Sequence, residues 1–457
     1  MEEMSKQERL EAAIAGEPVD RPPVALWRHW PGDDRTPEGL AEATLRFQRD
    51  FDFDFVKVTP PSSYCLQDWG VRDEWRGNAE GTREYVARPV QHPEDWGRLP
   101  TLEPQEGALG AQLACLRLLS SALGGDVPLV QTVFSPLAQA KNLAGQERLL
   151  DHLRRYPDAL RAGLEVITET TVRFLESARG CGIAGIFYAV QHADYSLLSE
   201  AEYHTFGRPY DLRVLQAAQG LWLNVLHLHG STVMFDLVTD YPVQVLNWHD
   251  RETGISLAEG QRRFGGAVCG GLSRWDGVVC GTPTRVRAEA FEALAQTGGR
   301  RFILGTGCVV PVVAPWENLR AARQAVEMAP PAEALRCHLN KEGGLSCAAA
   351  FRAAQELGLE PWAVGRAADL LDIRLVGCQL GLFGYGPKSE GRHKVVKPAE
   401  EVSPDLAAAI YAGLEGGRLS CQAAWSIASR MGIAKIEVSA AAERLGVRIG
   451  RCQLGAF

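Results

Sequence analysis

Two histidines one residue apart, and a cysteine far along the chain, are well suited to metal chemistry. His227 and His229 lie at the end of the apolar run 222–230, and Cys308 ends the run 301–308. Residues i and i+2 of a strand face the same side, so both imidazoles can point at one ion. Cys308 reaches the same ion if the two strand ends converge. Two imidazoles and a thiolate with an open fourth position form a catalytic zinc arrangement. The alternative is a hydrogen-bonded polar pair and a packed cysteine.

The elements that would position these residues are short apolar runs, which alternate with longer amphipathic stretches over the first 330 residues. The eight runs are 23–27, 55–58, 128–133, 185–190, 222–230, 243–248, 267–272 and 301–308. Helical patterns separate most of them, as at 150–176 and 284–295. Eight strands alternating with helices predict a (β/α)8 TIM barrel in the α/β class. A doubly wound open sheet is the alternative, but no Gly-x-Gly-x-x-Gly turn follows the first run.

Chemistry in such barrels lies at the carboxyl ends of the strands. Five of the ten histidines follow these predicted ends, namely His29, His192, His227, His229 and His249. We expect acid–base chemistry from the groups His192, Asp194 and His249. The residues expected to contact substrate are Trp27, Arg28 and Gln191, with Arg28 suited to a carboxylate. Capping or loop contacts are the alternative for the His192/Asp194 and His249/Asp250 pairs.

Composition describes an ordinary globular protein of 457 residues, with 46% hydrophobic and 23% charged residues. The polar start has no apolar signal segment, and no run of about 18 apolar residues predicts a membrane span. Eleven cysteines without tight pairing spacings favour a reducing cytoplasm over a disulfide framework. A net charge of −8 argues against nucleic acid as the main partner of the whole chain.

The composition changes near residue 330, where Met328-Ala329-Pro330-Pro331 reads as a linker. Residues 1–330 carry 33 basic and 43 acidic side chains, whereas residues 331–457 carry 15 and 13. The second part holds a duplication, since 343–384 and 417–457 match at an offset of 74 residues. Each copy predicts two helices around a glycine turn, followed by a short extended segment. We therefore predict a barrel over 1–330 and a mostly helical, duplicated domain over 331–457.

The duplicated domain suggests two further functions. Each repeat contains two cysteines at equivalent positions, Cys347 and Cys378 in the first repeat and Cys421 and Cys452 in the second. These four thiols could form a second metal or iron–sulfur site, or serve as small core residues or a redox pair. The helix pairs also resemble helix-turn-helix units, which would make the chain a ligand-sensing regulator that binds DNA. A net charge of only +2 in this part is weak support for DNA binding. Docking of a partner protein is an equally consistent function for the duplicated domain.

Three stretches of the first part resemble the uroporphyrinogen decarboxylase superfamily. Residues 8–24 contain Glu-Arg-Leu and later Asp-Arg-Pro-Pro-Val, similar to the opening motif of that superfamily. Residues 197–210 contain Leu-Leu-Ser-Glu-Ala-Glu-Tyr and Pro-Tyr, and residues 270–283 contain Gly-Gly-Leu and Gly-Thr-Pro. The order and spacing of the three stretches agree with the superfamily, and the resemblance implies a TIM barrel.

The superfamily has a metal-free decarboxylase branch and a zinc- and cobalamin-dependent methyltransferase branch. The decarboxylases use an Asp after the second strand and an Arg pair after the first. Here Thr59-Pro60-Pro61-Ser62-Ser63 follows the second strand, and His29 follows Arg28. The methyltransferases carry a zinc motif His-x-Cys and a distant Cys. His227 and Cys308 match two of these ligands, and His229 replaces the other cysteine.

The resemblance therefore implies a zinc-dependent methyltransferase or demethylase that moves a methyl group between a corrinoid and a thiol or other small acceptor. A separate carrier protein would bring the corrinoid, since the chain has no Asp-x-His-x-x-Gly motif. Decarboxylation in tetrapyrrole metabolism is the runner-up, and the ligand-sensing regulator is the second alternative. Barrels of this superfamily often pair, so a homodimer is a further expectation.

Overall fold

The computed structural model describes residues 3–327, 335–357, 360–370, 373–387 and 391–456. The chain divides into two compact units, Met1–Glu327 and Met328–Phe457. The predicted linker at 328–331 and parts of the two repeats (358–359, 371–372 and 457) lie outside the described residues. Among the described helices, none has both the length and the apolar composition needed to cross a membrane.

The first unit is built around a parallel sheet. Its strands are β1 (Val56–Val58), β2 (Arg72–Glu74), β3 (Glu84–Ala87), β4 (Leu129–Phe134), β5 (Gly185–Val190), β6 (Val225–Leu228), β7 (Val245–Trp248), β8 (Ala267–Leu272) and β9 (Phe302–Thr306). β2 and β3 form an antiparallel hairpin, and the other strands pair in the order β1-β4-β5-β6-β7-β8-β9. Every pairing between neighbours in that order is parallel, as in a barrel.

The first predicted strand, 23–27, completes the ring. Val24 forms a parallel bridge with Leu304 of β9, and the Ala25 amide donates to the Leu304 carbonyl at 3.0 Å. On the other side, the Asp54 amide donates to the Val24 carbonyl at 2.9 Å, just before β1 begins. This segment therefore lies between the last and first strands of the sheet. The predicted (β/α)8 fold is confirmed.

Helices surround the sheet, and most of them follow a strand. They are α1 (Lys6–Ala15), α2 (Pro37–Phe51), α3 (Gly107–Leu123), α4 (Pro136–Ala144), α5 (Gln146–Arg155), α6 (Pro157–Arg179), α7 (Glu200–Phe206), α8 (Arg208–Ala217), α9 (Leu257–Phe264), α10 (Pro283–Thr297) and α11 (Trp316–Glu327). The pattern at 150–176, which predicts one helix, is divided between α5 and α6 at Pro157. Proline lacks an amide hydrogen and suits the first turn of a new helix.

The barrel interior is apolar and close-packed. Its buried side chains include Trp27, Phe55, Val130, Phe187, Val225, Val245, Ala267, Cys269 and Ile303, which come from successive strands. Trp27 and Phe187 meet edge to face with ring centroids 5.1 Å apart. These side chains close the barrel beneath its mouth, so any ligand must bind at the end of the strands.

A buried ion network anchors the start of the chain to the barrel. Arg9 donates to Asp20 and, at 2.8 Å, to Asp54, and Arg21 also donates to Asp54 at 2.8 Å. The second carboxylate oxygen of Asp54 accepts the Val24 amide at 2.7 Å. The network thus holds the segment that completes the ring. It gives the motif residues at 8–24 a structural role.

The second unit contains two similar halves. The first half has β10 (Leu345–Ser346), α12 (Cys347–Leu357), α13 (Pro361–Leu370) and β11 (Leu375–Val376). α14 (Pro404–Ala412) and β12 (Leu414–Glu415) precede the second half, which has β13 (Arg418–Ser420), α15 (Cys421–Met431), α16 (Lys435–Arg444) and β14 (Arg448–Gly450). In each half the strand before the helix pair runs parallel to the strand after it. The rings of Phe351 and Trp425 pack against each other across the halves, tilted by 36° with centroids 4.4 Å apart.

Candidate metal centre and cavity

Four metal-binding side chains converge at the mouth of the barrel. His227 lies in β6 and His229 follows it, His249 follows β7, and Cys308 lies two residues beyond β9. One ligand atom from each of the four lies within 4.8 Å of every other. Parallel strands deliver their carboxyl ends to one edge, so residues distant in sequence become neighbours. The structure therefore brings the three predicted metal ligands together and adds His249.

Two distances between these atoms fit a tetrahedral ion. His249 Nε2 lies 3.3 Å from His229 Nδ1, and Cys308 Sγ lies 3.8 Å from the same nitrogen. Two nitrogens on tetrahedral zinc are roughly 3.3 Å apart, and a nitrogen and a sulfur roughly 3.6 Å apart, from the usual bond lengths. The mixed nitrogen and sulfur donor set is also one that zinc accepts. The group could therefore hold zinc.

Neighbouring side chains orient two of the imidazoles. His227 Nδ1 lies 2.7 Å from Asn247 Oδ1, and the Asn247 amide nitrogen donates to two backbone carbonyls. The amide oxygen is thus the acceptor, and His227 donates from Nδ1 and keeps the lone pair of Nε2 for an ion. His249 donates from Nδ1 to Glu252 at 3.0 Å. Such partners around a metal ligand fix its tautomer and its direction.

The thiol of Cys308 is favoured in its ionised form. Burial alone raises its pKa, but the imidazoles of His227, His229 and His249 outweigh burial and hold the pKa of Cys308 well below its usual value. A thiolate is the form that binds metal. The electrostatics of the group therefore agree with a ligand role for this cysteine.

A cavity of about 370 Å³ opens beside the group. Its lining includes His227, His229 and Cys308, together with Trp27, Lys57, Arg88, Lys141, Phe187 and Gln191. Burial lowers the pKa of Lys57 to about 7, and burial and the nearby charge of Arg88 lower the pKa of Lys141 to about 8. Two further arginines nearby form ion pairs with acidic side chains, Arg83 with Asp34 and Arg274 with Glu80, so their charges are already balanced. The other cationic side chains of the lining, Lys57, Arg88 and Lys141, make the cavity suited to an anionic ligand.

Two of the three predicted substrate contacts lie at the cavity, and the third does not. Trp27 and Gln191 line the cavity, and Gln191 accepts a hydrogen bond from Lys141 at 3.0 Å. Arg28 is not among the lining residues of the described chain, and its guanidinium lies 4.8 Å from the ring centre of Trp30.

The predicted acid–base residues are also divided. His249 joins the metal-binding group. His192 is buried beyond the lining of the cavity, and burial and the charge of Lys141 lower its pKa to about 3. Asp194 accepts hydrogen bonds from Ser196 and Thr232 and thereby ties two loops together.

Three of the four tail cysteines, Cys347, Cys378 and Cys421, are buried in the second unit, and Cys452 is half-buried. Cys347 and Cys421 begin equivalent helices, and each accepts a hydrogen bond from a glutamine amide, Gln379 at 3.8 Å and Gln453 at 3.5 Å. Burial raises the pKa of Cys347 to about 11, which favours the neutral thiol. Within the described parts of the chain, the four tail cysteines form no close group like the one at the barrel mouth.

Several residues of the site were missed from the sequence, among them Lys57, Asn247 and Lys141. Lys57 lies between two valines in β1, a strand buried at every position. A lysine in such a strand is costly to bury and is a sequence signal for a functional group. Asn247 occupies a similar position in β7. Lys141 lies on α4 and gives no comparable signal.

Comparisons with known proteins agree with this architecture. A profile of the family described as uroporphyrinogen decarboxylase (URO-D) matches residues 5–328. Methylcobamide:CoM methyltransferase MtbA of Methanosarcina mazei is 22% identical over 334 residues, which are 70% of this chain and 97% of that relative. A uroporphyrinogen decarboxylase of Sorangium cellulosum is 26% identical over 313 residues, 65% of this chain and 85% of that relative.

A solved structure of a methyltransferase from Methanosarcina mazei has the same fold. Its TM-score is 0.64 at 21% identity, and the match covers 71% of this chain and 99% of that one. The second unit lies beyond the family match, which ends at residue 328. The chain therefore belongs to the uroporphyrinogen decarboxylase (URO-D) family, on its methyltransferase branch, and is an enzyme of the methyltransferase class.

Proposed function

We propose that this enzyme moves a methyl group between a corrinoid and a small thiol or other acceptor, with zinc held by His227, His229 and Cys308. The observation that carries the proposal is the convergence of these side chains at the barrel mouth, where Cys308 Sγ lies 3.8 Å from His229 Nδ1. A relative named methylcobamide:CoM methyltransferase supports the corrinoid as the other substrate.

Zinc bound here would hold the acceptor sulfur as a thiolate at neutral pH. In the transfer, a bond forms between that sulfur and the methyl carbon. The bond between the methyl carbon and cobalt breaks, and its electron pair stays with the corrinoid. Demethylation of a methylated substrate is the reverse of this exchange.

The remaining side chains of the cavity would select the acceptor. Lys57, Arg88 and Lys141 would hold an anionic end of the acceptor, and Gln191, fixed by Lys141, would add a polar contact. Trp27 and Phe187 supply apolar walls. The acceptor class that fits this lining is a small thiol with a carboxylate or another anionic group.

The size of the cavity supports binding of the acceptor inside it and of the corrinoid outside it. A volume of about 370 Å³ is at the lower end of ordinary small-ligand pockets. It accommodates the acceptor but not a whole corrinoid. The methyl-bearing face of the corrinoid would approach the mouth, and the rest would stay in its carrier.

Decarboxylation is the second candidate, favoured by the match to a uroporphyrinogen decarboxylase. The segment after β1 begins Thr59-Pro60-Pro61 and lacks the expected Asp. Moreover, a metal-free decarboxylation gives no role to the thiolate among three imidazoles. Methyl transfer is therefore the better proposal.

Metal analysis of the purified protein tests the zinc site. We expect about one zinc per chain in the wild type, as one such site predicts, and its loss in both His229→Ala and Cys308→Ala. The zinc-loaded protein should then convert an anionic thiol such as mercaptoacetate to its methyl thioether with methylcobalamin as donor, measured by mass spectrometry. Retention of the metal in both variants would contradict the site. A metal-loaded protein that releases carbon dioxide from uroporphyrinogen without methyl transfer would favour decarboxylation instead.

A further inference from the structure

The second unit contains four free cysteines that the chemistry of the barrel does not use, Cys347, Cys378, Cys421 and Cys452. We propose that these four thiols hold a [4Fe–4S] cluster at the boundary between the two halves of the unit. Four cysteine thiolates are the usual ligand set of such a cluster. The proposal concerns the second unit alone and does not depend on the function proposed for the barrel.

The two halves of the second unit exchange a short segment. Each half contains the sequence Cys-Gln-Leu-Gly, at 378–381 in the first and at 452–455 in the second. On α16 of the second half, the Ser439 hydroxyl donates to the Leu380 carbonyl of the first half at 2.6 Å. At the equivalent position of α13, Gly365 faces the Leu454 carbonyl so closely that a Cβ would lie 1.8 Å from that oxygen. Each segment therefore packs on the second helix of the opposite half.

This exchange brings thiols of both halves together. Cys378 of the first half lies in the same buried cluster as Cys421, which begins α15 in the second half. Burial raises the pKa of Cys347 and of Cys421, and the nearby Cys378 raises both further. Cys452 acts on Cys421 in the same direction. The four sulfurs thus form one electrostatically connected group.

Amide donors are directed at two of these sulfurs. Gln379 Nε2 lies 3.8 Å from Cys347 Sγ, and Gln453 Nε2 lies 3.5 Å from Cys421 Sγ. Lys435 donates to Gln379 Oε1 at 2.7 Å, and because an ammonium can only donate, the Gln379 amide nitrogen must face the sulfur. A neutral thiol is a weak acceptor, whereas a thiolate accepts strongly. The donors therefore suit sulfurs whose protons are released when metal binds.

The spacing of the thiols favours a cluster over a single ion. In the part of the chain that the structure describes, no three tail sulfurs lie within 4.8 Å of one another. Sulfurs on one tetrahedral zinc would be roughly 3.8 Å apart, from the usual bond length. A [4Fe–4S] cluster lies between its thiolates and attaches each to a different iron, so the cysteine sulfurs stand farther apart. An open group of four thiols therefore fits the cluster better.

Lys435 supplies a positive charge beside this group. Its ammonium lies 3.1 Å from the ring centre of Trp425. Burial lowers the pKa of Lys435, and the sulfurs of Cys347 and Cys421 oppose that effect, which places the ammonium near both. A cluster with four thiolates is negatively charged, and the reduced cluster carries one electron more. The ammonium would therefore favour the reduced form and raise the reduction potential.

Anaerobic reconstitution of the full-length protein with ferrous iron and sulfide tests the proposal. We expect about four iron and four acid-labile sulfide per chain, with visible absorption that bleaches on addition of dithionite. Cys378→Ser and Cys452→Ser, one from each half, should lose both iron and sulfide. The matched control Cys337→Ser, which removes an exposed cysteine of the same unit, should keep both. Sulfide at the wild-type level in the first two variants would overturn the proposal.

The melting temperature of the metal-free variants separates loss of the cluster from loss of the fold. Cys452 is half-buried, so serine at this position should leave the melting temperature nearly unchanged. Lys435→Met should keep the cluster and lower its reduction potential in a redox titration followed by visible absorption. An unchanged potential would contradict a cluster beside Lys435.

Two other results would replace the cluster by a different site. Reconstituted protein without sulfide, whose tail thiols form disulfides in air, would indicate a redox pair. A second zinc per chain that is lost in Cys378→Ser would indicate a single-ion site. The zinc expected at the barrel should persist in every tail variant, because Cys308 belongs to the first unit. Failure of the cluster is therefore distinguishable from failure of the proposed function.

Discussion

Asn247 Oδ1 lies 2.7 Å from His227 Nδ1, and the amide nitrogen of the same asparagine donates to the carbonyls of Cys269 and Thr306. One buried side chain therefore connects β6 and β7 with β8 and β9 beneath the candidate metal centre. It sets the tautomer and the direction of His227. The position of the ligand is thus determined by the barrel itself.

Removing this support should weaken metal binding. We expect Asn247→Ala to lower zinc affinity about 10- to 100-fold, the usual effect of losing a partner of a ligating histidine. Competition with a chromogenic chelator measures the affinity, and the melting temperature of the metal-free protein separates it from a loss of stability. An unchanged zinc affinity would show that Asn247 does not orient the ligand.

Binding of an anion in the cavity should depend on pH through Lys57. Because burial lowers the pKa of Lys57 to about 7, its ammonium is present below that pH and is lost above it. The affinity for propanoate, which does not titrate near neutrality, should therefore fall by up to about tenfold per pH unit above the pKa. Calorimetric titrations on both sides of neutral pH measure this trend. In Lys57→Met the fall in affinity should begin only above about pH 8, where Lys141 titrates, and an onset that stays near pH 7 would exclude Lys57 as the titrating group.

The same lysine should limit the stability of the protein. Its pKa is lowered from 10.5 to about 7 on folding, so the unfolded chain binds a proton that the folded chain lacks between these values. Stability therefore rises with pH over this window and is lowest below about pH 7. We expect Lys57→Met to raise the free energy of unfolding at neutral pH, by at most on the order of 4 kcal/mol. Urea denaturation of both proteins at neutral and alkaline pH tests this, and a gain that is equal at both pH values would contradict the explanation.

Loss of Asp54 should destabilise the barrel at its first strand. Its carboxylate is fully buried and pairs with Arg9 and Arg21, and removing one partner of a buried network costs about 3–5 kcal/mol. We expect that loss in the free energy of unfolding of Asp54→Ala. Asp158→Ala, which removes an exposed partner of Arg161, is the control and should change stability by less than about 0.5 kcal/mol. Equal effects of the two variants would show that the buried network contributes little.

DNA binding by the tail repeats stays a prediction of the regulator alternative. With a net charge of −8 on the whole chain, we expect no band shift of duplex DNA by the full-length protein at physiological ionic strength. Binding that weakens steeply as salt is added would instead favour a regulator.

The fold could be predicted because alternating apolar runs are a local signal. Seven of the eight runs became strands of the sheet, and the first became a single bridge at Val24. Pro22 and Pro23 explain the difference, since neither has an amide hydrogen for a ladder. Pro157 likewise divided one predicted helix into two, which the apolar pattern alone does not reveal.

The site was harder to predict, because its chemistry depends on distances that only the closed barrel sets. His227, His229 and Cys308 could be placed at strand ends, and the structure brings them together. His249 was expected to act as an acid or base, and nothing in its loop shows that Nε2 faces His229. The cations of the cavity come from β1, from α4 and from the hairpin region, so their convergence is a tertiary property.

The low pKa of Cys308 has a consequence for the chemical durability of the enzyme. A lowered pKa favours the thiolate, which reacts with peroxide more readily than the thiol and passes from sulfenic to irreversible sulfinic and sulfonic acids. Coordination would occupy the sulfur electron pair that peroxide attacks. Zinc would therefore protect Cys308 from oxidation. Enzyme from which the metal is removed in air would not regain activity when zinc is added back.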